Sequence, residues 1–155
     1  MTGSPVTALT VAESGRLSHM QSHAYVAIVT LVALLVYFWM SLGVAGARRK
    51  SGIDAPAMHG DPFLERAVRV QGNTLEWLPI FLPSLWLCHL FWAPQDPTGV
   101  IVAAIGAIWI FGRILYAVGY AKDASKRSMG FLIQLLSAAV LLFGALSKAV
   151  MILLA

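Results

Sequence analysis

Four long apolar stretches separated by short polar ones set the pattern of this chain. Residues 24–47 carry no charged side chain, and a helix rising ~1.5 Å per residue crosses a ~30 Å hydrocarbon core over that length. The pattern predicts a first membrane-spanning helix there. A cleavable signal peptide is the competing reading, because Ala45-Gly46-Ala47 offers the small residues of a cleavage site. The apolar run exceeds the usual ~7 to 15 residues of such a peptide, and the segment before it is not basic, with Glu13 set against Arg16. Residues 1–23, with Thr, Ser, Gly and Pro, are expected to form a flexible N-terminal tail of no assigned fold.

The second apolar run, residues 77–93, is short, but a polar stretch with helical spacing precedes it, so one helix is expected over about 63–92. Asp61-Pro62 is a start signal and Ala93-Pro94-Gln95-Asp96-Pro97 a turn. Pro79 and Pro83 lie inside it; a membrane helix tolerates proline where its neighbours satisfy the freed carbonyls, so a kink is expected rather than a break. A third span covers 98–121, interrupted only by Arg113, and a fourth covers about 128–153, uncharged until Lys148. Gly99, Ala103 and Ala107 on the third, with Ser137 and Gly144 on the fourth, would let neighbouring backbones approach closely. The expected fold is an all-α integral membrane four-helix bundle, with residues 24–155 as one domain.

Composition agrees with this reading. Hydrophobic residues make up 59% of the chain and charged ones 12%, against about 25% charged in an ordinary soluble domain. A water-soluble globule is excluded, and so is a chain kept unfolded by low hydrophobicity. The net charge of +4 has a topological explanation. Arg48, Arg49 and Lys50 lie in the first connection and Lys122, Lys126 and Arg127 in the third, while residues 93–97 of the second hold no basic residue. The positive-inside bias then puts connections one and three in the cytoplasm and both termini on the other side, as in a multi-pass inner-membrane protein. No nucleic-acid partner is called for. The single cysteine, Cys88, has no partner for an intrachain disulfide and reads as a packing residue.

Some polar side chains stand where hydrocarbon should reject them. Arg66, Arg69, Asn73 and Glu76 follow a 3, 4, 3 spacing that lines them up on one face of the second helix, and Arg113, Tyr116 and Tyr120 form a shorter stripe on the third. Both stripes fall in the cytoplasmic half. Charges at depth need partners or a wet cavity, and the structural reading of Glu76 and Arg113 is an ion pair between neighbouring helices. That pair leaves Arg69, Asn73, Tyr116 and Tyr120 without a purpose. Arg48 and Arg49 alone are explained as a positive-inside anchor. Together the groups suit a small zwitterionic, polyanionic ligand: guanidiniums for carboxylates, a carboxylate for an ammonium, an amide and phenols for orientation.

The run from Glu65 to Pro79, Glu-Arg-Ala-Val-Arg-Val-Gln-Gly-Asn-Thr-Leu-Glu-Trp-Leu-Pro, resembles the second-helix signature of the MAPEG family, the membrane-associated proteins in eicosanoid and glutathione metabolism. Gly112-Arg113-Ile114-Leu115-Tyr116-Ala117-Val118-Gly119-Tyr120, followed by Arg127, resembles the third-helix segment of its leukotriene C4 synthase and microsomal glutathione transferase branch. The Arg48-Arg49 pair sits where that branch keeps two arginines, and Trp77 stands where it has a tyrosine. The resemblance covers about residues 24–150. It implies a four-helix protomer assembled as a homotrimer, with glutathione as cosubstrate at subunit interfaces near the cytoplasmic face. By this analogy Arg69, Asn73, Glu76, Tyr116 and Tyr120 hold the tripeptide, Arg113 binds it or braces Glu76, and Arg127 faces the thiol. A guanidinium there would favour the thiolate. The thiolate would attack a lipophilic electrophile or lipid hydroperoxide from the bilayer, with Arg49 of an adjacent protomer polarising the leaving oxygen.

Two other classes compete. One branch of the same family presents lipid to a partner enzyme without catalysis, but it lacks several of the glutathione-facing groups. A small proton-coupled multidrug exporter also has four helices, yet here the first helix carries no acid, and Glu76 is accompanied by arginines that repel a cationic drug. Metal chemistry has little support: His19 and His23 are four apart at the tail boundary and read as a solvated pair, and His59 and His89 read as isolated, the latter as an interfacial side chain.

Overall fold

The computed structural model describes the backbone from Pro5 to Ala155 and side chains from Met20 onward; residues 1–4 of the expected tail lie outside the described residues. Four helices follow in order, α1 (Pro5–Ser51), α2 (Pro62–Trp92), α3 (Val100–Lys122) and α4 (Ser128–Leu154), with one 3₁₀ turn, Ala124–Arg127, before the last. All four are long and apolar enough to cross a membrane, and no strand occurs among the described residues. The protein is therefore an all-α, multi-pass membrane bundle.

The helix boundaries follow local chemistry. Asp61 caps α2, its carboxylate accepting from the Phe63 and Leu64 amides at 2.9 and 2.8 Å, and Pro62 occupies a first-turn position where no amide is needed. α2 then runs without interruption through Pro79 and Pro83. The Ala93–Pro97 turn serves the next helix: buried Asp96 accepts from the Ile101 and Val102 amides at 3.0 and 3.1 Å, while Gly99 takes a left-handed φ of 69° at the cap. At the other end the structure departs from expectation. Residues 5–23, expected as a loose tail, are helical backbone continuous with the first span; after Pro5 the chain has no proline until Pro56 to stop a helix.

The core joins α1, α2, α3 and α4 through Phe81 stacked on Trp109 at 3.9 Å, with Val26, Ala33, Leu85 and Leu141 around them. Cys88 packs in the same cluster. Of the expected small-residue stripe, Ala103 is buried in the core, while Ala107 is exposed and Gly99 is a cap, and the tightest helix contact lies elsewhere. It is α3 against α4 at Gly112 and Gly130. A Cβ on Gly112 would stand 2.7 Å from the Gln134 backbone nitrogen, and one on Gly130 would stand 2.7 Å from the Gly112 carbonyl oxygen and from the Tyr116 Cα. Ser137 and Gly144 do join helices: the Ser137 hydroxyl donates to the Ile105 carbonyl at 2.6 Å, and the Trp92 indole donates to the Gly144 carbonyl at 3.0 Å.

The histidines also differ from expectation. His23 Nδ1 and His89 Nε2 are 2.7 Å apart across α1 and α2, and His89 is 1% exposed rather than interfacial. Its ring fits against Gly99, where a Cβ would come within 2.7 Å of it. The His19 side chain lies outside the described residues, and among those described no three His, Cys, Asp or Glu side chains gather as a metal ion requires.

Candidate functional site

The polar stripe of α2 opens onto two cavities. The first, about 560 Å³, is walled by Arg66, Arg69, Asn73 and Glu76 on α2 and Tyr120 on α3, with Met58 and His59 of the α1–α2 connection at its edge. The second, about 600 Å³, lies against α4 and is walled by Arg69, Asn73, Tyr116, Arg127 and Phe131. Arg69 and Asn73 belong to both. The two tyrosine rings lie 5.6 Å apart, and the Arg127 guanidinium stands 5.2 Å over Tyr120. Periodicity explains the α2 wall: spacings of three and four keep these side chains on one helical face while Val70, Thr74 and Leu78 turn to the core.

Arg113 occupies the layer behind this wall. It is fully buried, and its donors meet neutral acceptors on two helices: Nε donates to Thr74 Oγ1 and Nη2 to Asn73 Oδ1, both at 2.9 Å, and Nη1 donates to Gln134 Oε1 on α4. The guanidinium also lies 4.3 Å over the Tyr116 ring. The expected ion pair with Glu76 does not form. Glu76 turns outward, exposed, and accepts from Asn73 Nδ2 at 3.2 Å, so that Arg113 reaches it only through the amide. The physical reason is depth: α3 buries Arg113 among α2 and α4 side chains, while Glu76 lies on the open face of α2.

The structure brings Arg69, Asn73, Glu76, Tyr116, Tyr120 and Arg127 to the two cavities and puts Arg113 behind them. It does not bring Arg49 there. Arg49 is exposed at the end of α1 and lines neither cavity, whereas its neighbour Arg48 braces the connection by donating to the Ala57 carbonyl at 2.7 Å. Thr74 and Gln134 are polar groups that the charge pattern missed. The signal for Gln134 was available: it is the single amide in the uncharged stretch 128–147, and an amide in hydrocarbon needs a partner.

Arg127 is carried by the 3₁₀ turn, whose start is fixed by Asp123. That carboxylate accepts from the Ser125 amide and hydroxyl, both at 2.8 Å, which holds its pKa below the usual carboxylate range. Chemically, the arrangement offers guanidiniums to anions, an exposed carboxylate to a cation, and an amide and two phenols to orient what lies between.

Comparison with known proteins adds an independent line. The MAPEG family model matches residues 26–147. An uncharacterized protein from Synechocystis is 46% identical over 120 residues, 77% of this chain and 84% of that protein. Microsomal glutathione S-transferase 2 from Homo sapiens is 35% identical over 124 residues, 79% and 81% of the two chains. Leukotriene C4 synthase from Mus musculus is 36% identical over 104 residues, 67% and 66%.

Proposed function

The chain belongs to the MAPEG family, and from that premise we propose that it is a membrane-bound glutathione-dependent transferase or peroxidase. The observation that carries this reading is the convergence of Arg69, Asn73, Glu76, Tyr116, Tyr120 and Arg127 on two adjoining cavities. Their chemistry matches a tripeptide bearing two carboxylates, an ammonium and a thiol: Arg69 for a carboxylate, Glu76 for the ammonium, Asn73 and the tyrosines for orientation. The name of one relative, a microsomal glutathione S-transferase, supports the same cosubstrate.

In this reading Arg127 favours the thiolate. A free thiol titrates near ~8.5, so only a few per cent is ionised at neutral pH until a guanidinium stabilises the anion. The sulfur then attacks a lipophilic electrophile, forming a C–S bond as the leaving group departs. With a lipid hydroperoxide it attacks the terminal oxygen instead, breaking the O–O bond to give an alcohol and a sulfenic acid that a second glutathione converts to disulfide and water. The protomers assemble as a homotrimer, and Arg49 of a neighbour approaches the leaving oxygen. Within one protomer Arg49 lines neither cavity, so this role requires a neighbouring subunit.

Calorimetry with glutathione, followed by conjugation of a chlorinated nitroaromatic and reduction of a lipid hydroperoxide, tests the proposal. Binding with turnover in either assay is expected; binding with neither would make the protein a non-catalytic lipid or glutathione carrier.

A further inference from the structure

Arg113 is a fully buried cation, and among the described residues no carboxylate lies within ion-pair distance of it. Such a charge normally pairs with an acid. Here it is held by the side-chain oxygens of Thr74, Asn73 and Gln134, and Gln134, itself fully buried, is the only one of the three supplied by α4. A glutamine accepts the guanidinium proton as a glutamate would, but adds no negative charge of its own; Glu76 acts on Arg113 only across the Asn73 amide.

The direction in which that charge acts can be read from the contacts. Guanidinium nitrogens only donate, so the Asn73 amide must present its oxygen to Arg113 and its NH₂ to Glu76 and the cavities. Asn73 and Tyr116, the two cavity-wall residues in contact with Arg113, both line the second cavity beside Arg127. A charge one side chain behind the wall, shielded from water, acts strongly on an anion in front of it.

We propose that Gln134 is a positioning residue: a neutral acceptor that holds Arg113 in place without quenching it, so that the buried charge supports an anionic ligand group in the cavity and fixes Asn73 as a donor. This rests on reading the cavity as the glutathione site, and it assigns to an α4 amide a share in setting thiol acidity. Arg127 acts from the cavity and Arg113 from behind it.

Two variants separate charge from geometry. Gln134→Glu keeps an acceptor on Arg113 but neutralises it; the bound glutathione thiol, followed by its thiolate absorbance against pH, should titrate about one unit higher, a roughly tenfold loss of thiolate at low pH. Gln134→Leu removes the acceptor but keeps the charge; the KM for glutathione should rise several-fold while the thiol titrates near the wild-type midpoint. A merely structural role predicts the same midpoint in both variants. A Gln134→Glu protein that titrates like the wild type, or a Gln134→Leu protein with unchanged KM, overturns the proposal. Should the glutamate variant fail to fold, Arg113→Gln, which removes the charge itself, should raise the thiol midpoint in the same direction, and an unshifted midpoint there would overturn the proposal. Wild-type protein showing neither glutathione binding nor thiolate would instead overturn the functional reading itself.

Discussion

At the scale of single residues, the proposed thiol chemistry turns on Arg127. It lines the second cavity, while the first is built without it from Arg69, Asn73, Glu76 and Tyr120. Arg127→Ala should therefore retain glutathione binding by calorimetry and lose most of the thiolate absorbance that the parent shows at neutral pH. An unchanged thiolate signal would remove Arg127 from the role. The residues around it were unequally legible. Arg69, Asn73 and Glu76 could be placed on one face because helical periodicity is regular and charges in apolar surroundings are rare. Arg113's partners could not, because spacing within a helix fixes a face but not how deeply a neighbour's side chain reaches. Opposite charges suggested Glu76, whereas the packed helices offer Thr74, Asn73 and Gln134.

At the scale of elements, the starts of α2 and α3 were written in local signals, Asp61-Pro62 and the Asp96 turn, since capping uses side chains within a few residues. The α3–α4 seam was not, because any small residue is a candidate until the helices are rotated against each other. Gly112 and Gly130 make that seam. Gly130→Leu should cost about 1–3 kcal/mol or more, since the added carbon meets the backbone at Tyr116 rather than a side chain that can move. Thermal unfolding in detergent would measure it, and an unshifted midpoint would show that the helices are not in close contact there. The turn carrying Arg127 makes a pH-dependent prediction. The Asp123 carboxyl has a lowered pKa from its bonds to Ser125, so its stabilisation of the turn is complete above the ordinary carboxylate range and fades as pH falls through the lowered value. Amide exchange at Ser125 should accelerate on acidification, and Asp123→Asn should remove most of that dependence. Equal acceleration in both proteins would assign the effect to another group.

At the scale of the whole molecule, basic connections and cavity share one end of the bundle. The connections rich in Arg and Lys are the ones that border the first cavity: Met58 and His59 come from the α1–α2 connection and Ala124 from the turn after α3. Under the proposed function, the orientation expected from the positive-inside bias would also set the side from which a water-soluble tripeptide enters. Elsewhere large apolar side chains are exposed, Leu35, Ile108 and Phe143 on three helices among them, as a surface facing lipid or other subunits requires. Cys88, the only cysteine and buried, leaves a clean background for labelling. Cysteines placed at exposed Ala124 and Gln95 should react with a membrane-impermeant maleimide from opposite faces, Ala124→Cys from the cytoplasmic side and Gln95→Cys from the other. Labelling of Ala124→Cys from the outer side alone would invert the protein and with it the compartment that supplies glutathione. Labelling of both positions from one side would mean that α3 does not cross the bilayer, and the cavities would then have to be explained without a membrane floor.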